Sequence, residues 1–151
     1  MEFGGEIIKF EIFCEARISL DASERPSWAP VDCLALVDTW SEKLLANTDR
    51  WADDSVAGRD LIDLCVLRRA GPMLARSVEK ASRAYEVLPA LARAIESFQR
   101  RADFRARCFE ALAIEAPWVH DILDGLDALA AEVGLPKTER RSEEWRSTTT
   151  T

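Results

Sequence analysis

The chain has 151 residues, enough for one domain with its own hydrophobic core. It is 48% hydrophobic and 31% charged, which is typical of a globular protein, and no apolar run approaches the length of a membrane span. Its formal net charge is −7 at pH 7, which argues against a broad cationic surface for nucleic-acid phosphates but allows a local basic pocket. Because no signal peptide or membrane span is present, we expect no membrane association and a cytoplasmic location.

The N-terminal segment shows the alternation of a strand. Residues 7–13 read I-I-K-F-E-I-F, with Lys9 and Glu11 on the polar face, and residues 16–20 either continue the strand or return beside it. One or two strands do not form a stable sheet by themselves. We therefore expect either that helices alone cover this element or that another polypeptide supplies its neighbouring strands.

The remainder of the chain predicts helices separated by turn and breaker residues. Residues 21–30 are predicted to be a loop because of Pro26 and Pro30, and Asp32 is the expected N-cap of the first helix. Helices are predicted over residues 32–47, 56–70, 72–86, 89–101, 104–113 and 117–133. The predicted fold class is α+β and mostly α: a short N-terminal strand region and loop (1–30), a bundle of about five to six helices (31–136) and a disordered tail (137–151).

The cysteines and the single histidine do not indicate a metal site. Cys14, Cys33, Cys65 and Cys108 are far apart, and each lies in an apolar stretch. We expect them to be reduced and buried, acting as small hydrophobic side chains. His120 has no cysteine or second histidine at ligand spacing.

Two predicted helices carry charged groups at spacings that suggest chemistry. In the first helix, Lys43, Asn47 and Arg50 are four and three residues apart, so they lie on one side. The second helix is apolar in nearly every direction, which is typical of a buried helix, yet Asp60 and Asp63 lie on one face near its start. Carboxylates are rarely buried without cationic or hydrogen-bonding partners, so these two need a neighbour.

Two interpretations of the aspartates remain open at this stage. In the structural one, Asp60 is favoured at the helix start by the helix dipole, and Asp63 pairs with Arg59 or Arg50. In the functional one, the two helices form a cleft in which Lys43 binds a triphosphate and an aspartate positions a metal ion or orients the lysine. The residue pattern alone does not distinguish between them.

Three runs in a fixed order carry a family resemblance: K-F-E-I-F-C-E-A-R-I, E-K-L-L-A-N-T-D-R-W and R-D-L-I-D-L. Over residues 6–70 the chain resembles the later motifs of AbiEii-type nucleotidyltransferases, which are bacterial abortive-infection and toxin–antitoxin proteins with a polymerase-β-like core. The resemblance implies that the N-terminal strand is a remnant of a nucleotidyltransferase sheet. It implies functional roles for Lys43 and for Asp60 or Asp63, and it puts Glu11 where such folds often have a third carboxylate, here expected as a metal ligand. Combined with the helical spacing, we expect Lys43, Asp60 and Asp63 to be catalytic and the neighbouring polar residues Asn47, Arg50 and Arg59 to bind the substrate.

The chain also departs from this family pattern. Such enzymes open with a Gly-Ser or Gly-Gly turn followed by a D-x-D carboxylate pair that holds two divalent ions. Gly4-Gly5 precedes a strand instead, and no such pair follows it. We therefore expect the C-terminal part of a protein that would transfer a nucleotide from an NTP to an RNA or protein acceptor, inactive alone. Mg²⁺ and an NTP are expected only if the complete site is assembled, and no cofactor is evident for this chain alone.

The expected partners follow from this resemblance and from the unpaired edge of the predicted strand. They are an antitoxin or a missing N-terminal half, a second copy of the chain through an exposed strand edge, and an RNA acceptor only if the protein is active. The alternative is a non-enzymatic helical interaction module, or a truncated remnant, that binds a protein partner.

Overall fold

The computed structural model describes residues 14–139 together with the backbone of residues 2–3 and 6–7. The helices are α1 (Leu36–Arg50), α2 (Arg59–Ala70), α3 (Ala75–Ser82), α4 (Val87–Arg100), α5 (Ala102–Ala111) and α6 (Ala116–Glu132), with one 3₁₀ turn at Asp54–Val56. Two short strands, β1 (Glu2–Phe3) and β2 (Glu6–Ile7), pair antiparallel. The mostly helical fold is confirmed. The strand predicted over residues 7–13 lies outside the described residues except for Ile7, so it stays a prediction.

The first helix begins later than the sequence predicts. Glu24 and Cys33 exchange two backbone hydrogen bonds of 2.9 and 2.8 Å, which keeps the chain extended as far as Cys33. Asp32 therefore does not cap the helix. α1 begins at Leu36, after Ala35, which contributes no side-chain cap.

The second and third helices are also shorter than predicted. Ala57 and Gly58 adopt left-handed conformations with φ of 53° and 60°, so the 3₁₀ turn before them cannot continue into α2. Gly58 tolerates this φ because it has no Cβ, whereas Ala57 adopts it at some steric cost. α3 occupies only Ala75–Ser82 of the predicted range 72–86.

The core forms where α2 packs against α6 on one side and α1 on the other, with α3 and α4 completing the cover of α1. Its largest fully buried apolar side chains include Trp40, Leu44, Leu45, Leu64, Leu91, Ile95, Phe98, Ile122, Leu126 and Leu129. Each such side chain contributes about 1.5–3 kcal/mol relative to an exposed position. Among the described residues, no helix combines the length and the apolar character needed to cross a membrane.

A glycine sets the approach of α2 and α6. A Cβ placed on Gly125 would lie 2.1 Å from the carbonyl oxygen of Cys65, which is far inside van der Waals contact. The obstructing atom belongs to the backbone of α2, so it cannot move aside alone. The packing of these two helices therefore requires glycine at this position.

The predicted burial of the cysteines is only partly confirmed. Cys65 and Cys108 are buried, but Cys14 is exposed and Cys33 is partly exposed, because both lie in the irregular segment before α1. Burial raises the pKa of the Cys65 and Cys108 thiols above the ordinary value. Both therefore remain protonated near neutral pH and act as apolar core groups.

A buried polar network fixes the segment before α1 onto the helices. Asp38 is fully buried, pairs with Lys80 of α3, and accepts a 2.7 Å hydrogen bond from the backbone N–H of Asp21. Lys80 also donates to Asp21 at 3.1 Å. Burial alone lowers the pKa of Lys80, but its hydrogen bonds to Asp38 and Asp21 outweigh that effect and raise the pKa above its usual value. The lysine therefore stays charged between two carboxylates.

Candidate functional site

The fold places the polar side of α1 against the acidic start of α2. Lys43, Asn47 and Arg50 of α1 face Asp60 and Asp63 of α2, and two ion pairs connect the helices. The structure thus brings together five of the site residues that the sequence indicated. The side of α1 that carries these polar groups faces a neighbouring helix rather than only water.

The first ion pair joins Lys43 to Asp63. Lys43 Nζ lies 2.6 Å from Asp63 Oδ2, and the two side chains are 36% and 38% exposed. A pair at this exposure contributes only about 0.2–1 kcal/mol, because water solvates both groups when they separate. Since an ammonium group carries three donors, Lys43 can also bind a second oxygen acceptor, or exchange Asp63 for one at little cost.

The second ion pair is of a different kind. Arg50 donates from Nε and Nη2 to the two carboxylate oxygens of Asp60, at 2.9 and 2.7 Å. Asp60 is only 4% exposed, so its charge depends on this bidentate contact. Removing a partner from a buried pair costs about 3–5 kcal/mol, because a desolvated charge is left behind. The Arg50–Asp60 pair therefore fixes α1 against α2.

Asn47 lies between the two pairs along α1 and has unsatisfied hydrogen-bonding capacity. It is 1% exposed, and its Nδ2 makes no hydrogen bond with any described residue. A buried donor left without an acceptor costs about 1–3 kcal/mol. An ordered water or a bound molecule can supply the missing acceptor.

Asn47 lines a cleft that we call the amide cleft. It is lined by Asn47, Arg50, Trp51, Val56, Gly58, Asp60, Leu61, Ala94, Ser97, Phe98 and Phe104. Its empty volume, counted with the part open to solvent, is about 320 Å³, and the space fully open to a water-sized sphere is about 20 Å³. The cleft therefore has room for about one water-sized group, and the larger figure includes open solvent.

Two remaining predicted site residues are not part of this arrangement. Arg59 begins α2 and is exposed, and it forms no ion pair within residues 14–139. The structural interpretation paired Asp63 with Arg59 or Arg50, whereas Asp63 pairs with Lys43. Glu11 lies outside the described residues, so its role as a metal ligand stays a prediction.

A second charged cluster, next to the first, was not recognised in the sequence. Arg17 contacts Glu15 at 2.8 Å, Asp49 at 2.8 Å and Glu42 at 3.4 Å. Glu42 and Asp49 are seven residues apart on α1, which places them on one face, but the arginine that joins them comes from the preceding segment. Helical spacing could have grouped the two acids, but it gives no indication of Arg17.

The two glutamates of this cluster have opposite pKa shifts. The hydrogen bond from Arg17 lowers the pKa of Glu15 to about 2. Burial, together with the neighbouring charge of Glu15, raises the pKa of Glu42 to about 7. Glu42 Oε1 is also buried without a hydrogen-bond partner. Near neutral pH, Glu42 therefore retains a proton for part of the time.

The described carboxylates do not form a divalent metal site. Residues 14–139 contain no group of three or more His, Cys, Asp or Glu side chains placed to hold a metal ion. Asp60 and Asp63 are each paired with a cation. The donor groups Lys43, Asn47 and Arg50 suit phosphate or carbonyl oxygens, whereas Mg²⁺ would need more oxygen ligands than these two aspartates offer.

The fold and this site define a class of protein: a helical domain with a lysine and a buried amide on one helix, opposed by two aspartates on the next. A family model described as "Nucleotidyl transferase AbiEii toxin, Type IV TA system" matches residues 4–139. The chain belongs to this family of nucleotidyltransferase toxins. The resemblance inferred from residues 6–70 is confirmed, and the match extends through all six helices. Neither the search of curated proteins nor the search of solved structures found a match.

Proposed function

We propose that this protein takes part in transferring a nucleotide from an NTP to an RNA or protein acceptor, with Lys43 binding the triphosphate. The observation that supports this role most directly is the contrast between the two ion pairs. The Lys43–Asp63 pair is exposed and inexpensive to open, and it lies beside the buried Arg50–Asp60 pair that holds the two helices in place. Lys43 can change its partner while the Arg50–Asp60 pair keeps the helices in place, so Lys43 is suited to binding and releasing an anionic substrate.

Each residue of the site has a distinct part in this proposal. Asp63 orients the Lys43 ammonium in the absence of substrate, and Asp60 holds the Arg50 guanidinium in place. Asn47 and Arg50 bind the substrate beside Lys43. Arg59, exposed at the start of α2, supplies a further cation for an anionic substrate. The NTP is the substrate, and Mg²⁺, which phosphoryl transfer ordinarily uses, would require oxygen ligands in addition to Asp60 and Asp63.

The test is a transfer assay with a matched lysine control. The protein is incubated together with a nucleotidyltransferase N-terminal half that carries the Gly-Ser turn and the D-x-D pair, with Mg²⁺ and each labelled NTP, in the presence of RNA or of protein acceptors, and incorporated label is measured. We expect incorporation by the wild type and by Lys137→Ala, which removes an exposed lysine outside the site, and a loss of at least tenfold in Lys43→Ala. Label incorporated at an unchanged rate by Lys43→Ala would exclude the phosphate role. No incorporation by the wild type into any acceptor would contradict the enzymatic proposal.

A second candidate function is a helical interaction module that binds a protein partner. The segment 20–36 exposes several large apolar side chains, among them Trp28 at 79%, Val31 at 61% and Leu36 at 52%. Exposed apolar groups that are close in the chain are typical of binding surfaces. The toxin–antitoxin character of the family makes an antitoxin the first partner to test. Light scattering tests self-association, and capture of the cognate antitoxin by the wild type but not by Trp28→Ser would support this function.

The enzymatic proposal also implies a cytoplasmic location, because NTPs and RNA acceptors are available there.

A further inference from the structure

The amide cleft contains a buried polar group that the Lys43 proposal does not explain. Asn47 is 1% exposed, and its Nδ2 has no hydrogen-bond partner among the described residues. Its amide presents a donor and an acceptor side by side, which matches a ligand edge that offers an acceptor beside a donor. Nucleobases carry such edges, and an asparagine amide can form paired hydrogen bonds with them.

Aromatic side chains form much of the cleft around this amide. Trp51, Phe98 and Phe104 line it, and Phe98 packs edge-on against Phe104 with ring centroids 6.2 Å apart. Trp51 and Phe104 are partly exposed, so they can contact a ligand. Flat aromatic surfaces favour planar heteroaromatic rings, and the stacking of a base on an aromatic side chain contributes about 1–3 kcal/mol.

Arginines contact two of the aromatic side chains that line the cleft, in an otherwise acidic protein. The Arg93 guanidinium lies 5.7 Å from the centre of the Trp51 ring, and the Arg101 guanidinium lies 4.3 Å from that of Phe104. Arg50 is paired with Asp60 and Arg101 with Asp54, whereas Arg93 forms no ion pair within residues 14–139. Arg93 therefore adds, beside Trp51, a positive charge that no described acidic group pairs with, and this favours an anionic ligand near the cleft.

The amide cleft lies close enough to Lys43 for one ligand to contact both of them. Asn47 follows Lys43 by four residues on the same side of α1, a rise of about 6 Å along the helix axis. The empty volume of about 320 Å³ includes space open to solvent, and the space that the centre of a water-sized sphere can occupy is about 20 Å³, which is room for one polar atom or group of a ligand and not for a whole ring. A ring in the open part can place one edge atom against the Asn47 amide.

We propose that the amide cleft binds the nucleobase of the substrate nucleotide, with Asn47 forming hydrogen bonds to the base edge and Trp51 supplying a stacking surface. This inference rests on the proposed function, in which Lys43 binds the phosphates of the same nucleotide. It divides the site into a phosphate-binding part at Lys43 and a base-binding part at Asn47 and Trp51. It also assigns the choice among bases to Asn47.

The experiment uses nucleosides, which lack phosphate and therefore isolate the base-binding part. Adenosine, guanosine, cytidine and uridine are titrated into the full chain while the side-chain amide resonances of Asn47 are followed by NMR and the affinity is measured by calorimetry. We expect at least one nucleoside to shift the Asn47 resonances. Asn47→Asp, which replaces the donor with a carboxylate, should weaken that nucleoside at least tenfold. Trp51→Ala should weaken it by about 5- to 150-fold, the equivalent of about 1–3 kcal/mol.

Two controls separate this inference from the Lys43 proposal. Lys43→Ala should leave nucleoside binding unchanged, because the probe carries no phosphate, and Trp118→Ala should also leave it unchanged, because that exposed tryptophan lies on α6. If nucleosides bind as expected while an NTP binds Lys43→Ala as tightly as the wild type, the phosphate role fails and the base site stands.

Three results would overturn the inference. The first is that no nucleoside binds at millimolar concentration while the Asn47 amide shows a long-lived water contact, which would make the cleft a water site only. The second is that a nucleoside binds the wild type and Asn47→Asp equally. The third is that Asn47→Leu, which has a similar size but no polar group, folds with the amide spectrum of the wild type and also retains nucleoside affinity.

Discussion

At the residue level, the two ion pairs between α1 and α2 show that pairs of the same chemical kind can differ in their contribution to stability. Lys43 and Asp63 are both more than a third exposed, whereas Asp60 is 4% exposed and is held by two hydrogen bonds from Arg50. Solvent compensates the separation of the first pair, whereas removal of Arg50 leaves the buried Asp60 carboxylate without its two hydrogen bonds. One pair is therefore free to exchange partners, and the other maintains the geometry.

This difference predicts unequal losses of stability. Arg50→Ala should lower the free energy of unfolding by about 2–3 kcal/mol, toward the low end for buried pairs because the Arg50 side chain is itself 43% exposed. Lys43→Ala, the matched control, should change it by less than about 1 kcal/mol. Urea unfolding of both variants measures the difference. Equal losses would show that Asp60 does not depend on Arg50.

A second prediction at this level concerns Glu42. Its pKa is about 7 in the folded protein against an ordinary value of 4.5, so the folded state binds a proton that the unfolded state releases between these pH values. Stability attributable to Glu42 is therefore complete below about pH 4.5, falls as pH rises to 7, and stays reduced above that. Glu42→Gln should exceed the wild type in stability by on the order of 1 kcal/mol at pH 8, with the difference shrinking toward pH 4.5. Unfolding curves at pH 5 and pH 8 test this, and a difference independent of pH would contradict it.

At the level of secondary-structure elements, the close contact between α2 and α6 limits which substitutions the core tolerates. Gly125→Ala places a methyl group where the Cys65 carbonyl oxygen lies, so the helices must separate. We expect a loss of about 3 kcal/mol or more, at or above the usual cost of overpacking, measured by thermal or chemical unfolding. Gly71→Ala is the control, because its added Cβ would meet nothing within 4 Å. Equal effects of the two variants would show that the α2–α6 approach is less rigid than described here.

The elements also show what the sequence could and could not predict. The positions of all six helices follow from local apolar spacing and breaker residues, and the structure contains each of them. Where helices begin depended on features that hydrophobic periodicity does not reveal: the Glu24–Cys33 pairing delays α1, and the left-handed Ala57 and Gly58 delay α2. Neither effect follows from local spacing, because each depends on how the folded chain is arranged.

For the candidate site as well, the sequence predicted one part of the arrangement and not the other. The spacing of Lys43, Asn47 and Arg50 predicted a shared face, because spacing within one helix is fixed by helix geometry. Which aspartate pairs with which cation depends on how α1 and α2 pack, and only the structure provides that pairing. The cluster around Arg17 was missed for the same reason, because its arginine comes from outside the helix.

At the level of the whole molecule, the negative net charge does not reflect the local positive charge near the site. The chain carries a net charge of −7, yet Arg50 lines the amide cleft and Lys43 lies nearby on α1. Arg93 and Arg101 contact aromatic rings of the cleft lining. The buried pairs Arg50–Asp60 and Lys80–Asp38 hold α1 against α2 and α3 and so keep this local arrangement in place. In the proposed function, this local arrangement is the surface that binds a nucleotide.

The central claim is that Lys43 binds the phosphates of that nucleotide, and a titration with non-hydrolysable NTP analogues tests it most directly. Calorimetry at low salt should show that Lys43→Ala weakens binding at least tenfold, while Lys137→Ala binds as the wild type does, because only Lys43 lies in the site. Unfolding curves of the same samples should be nearly superimposable, which excludes a loss of fold. Equal affinity of the wild type and Lys43→Ala, with both proteins folded, would contradict the claim.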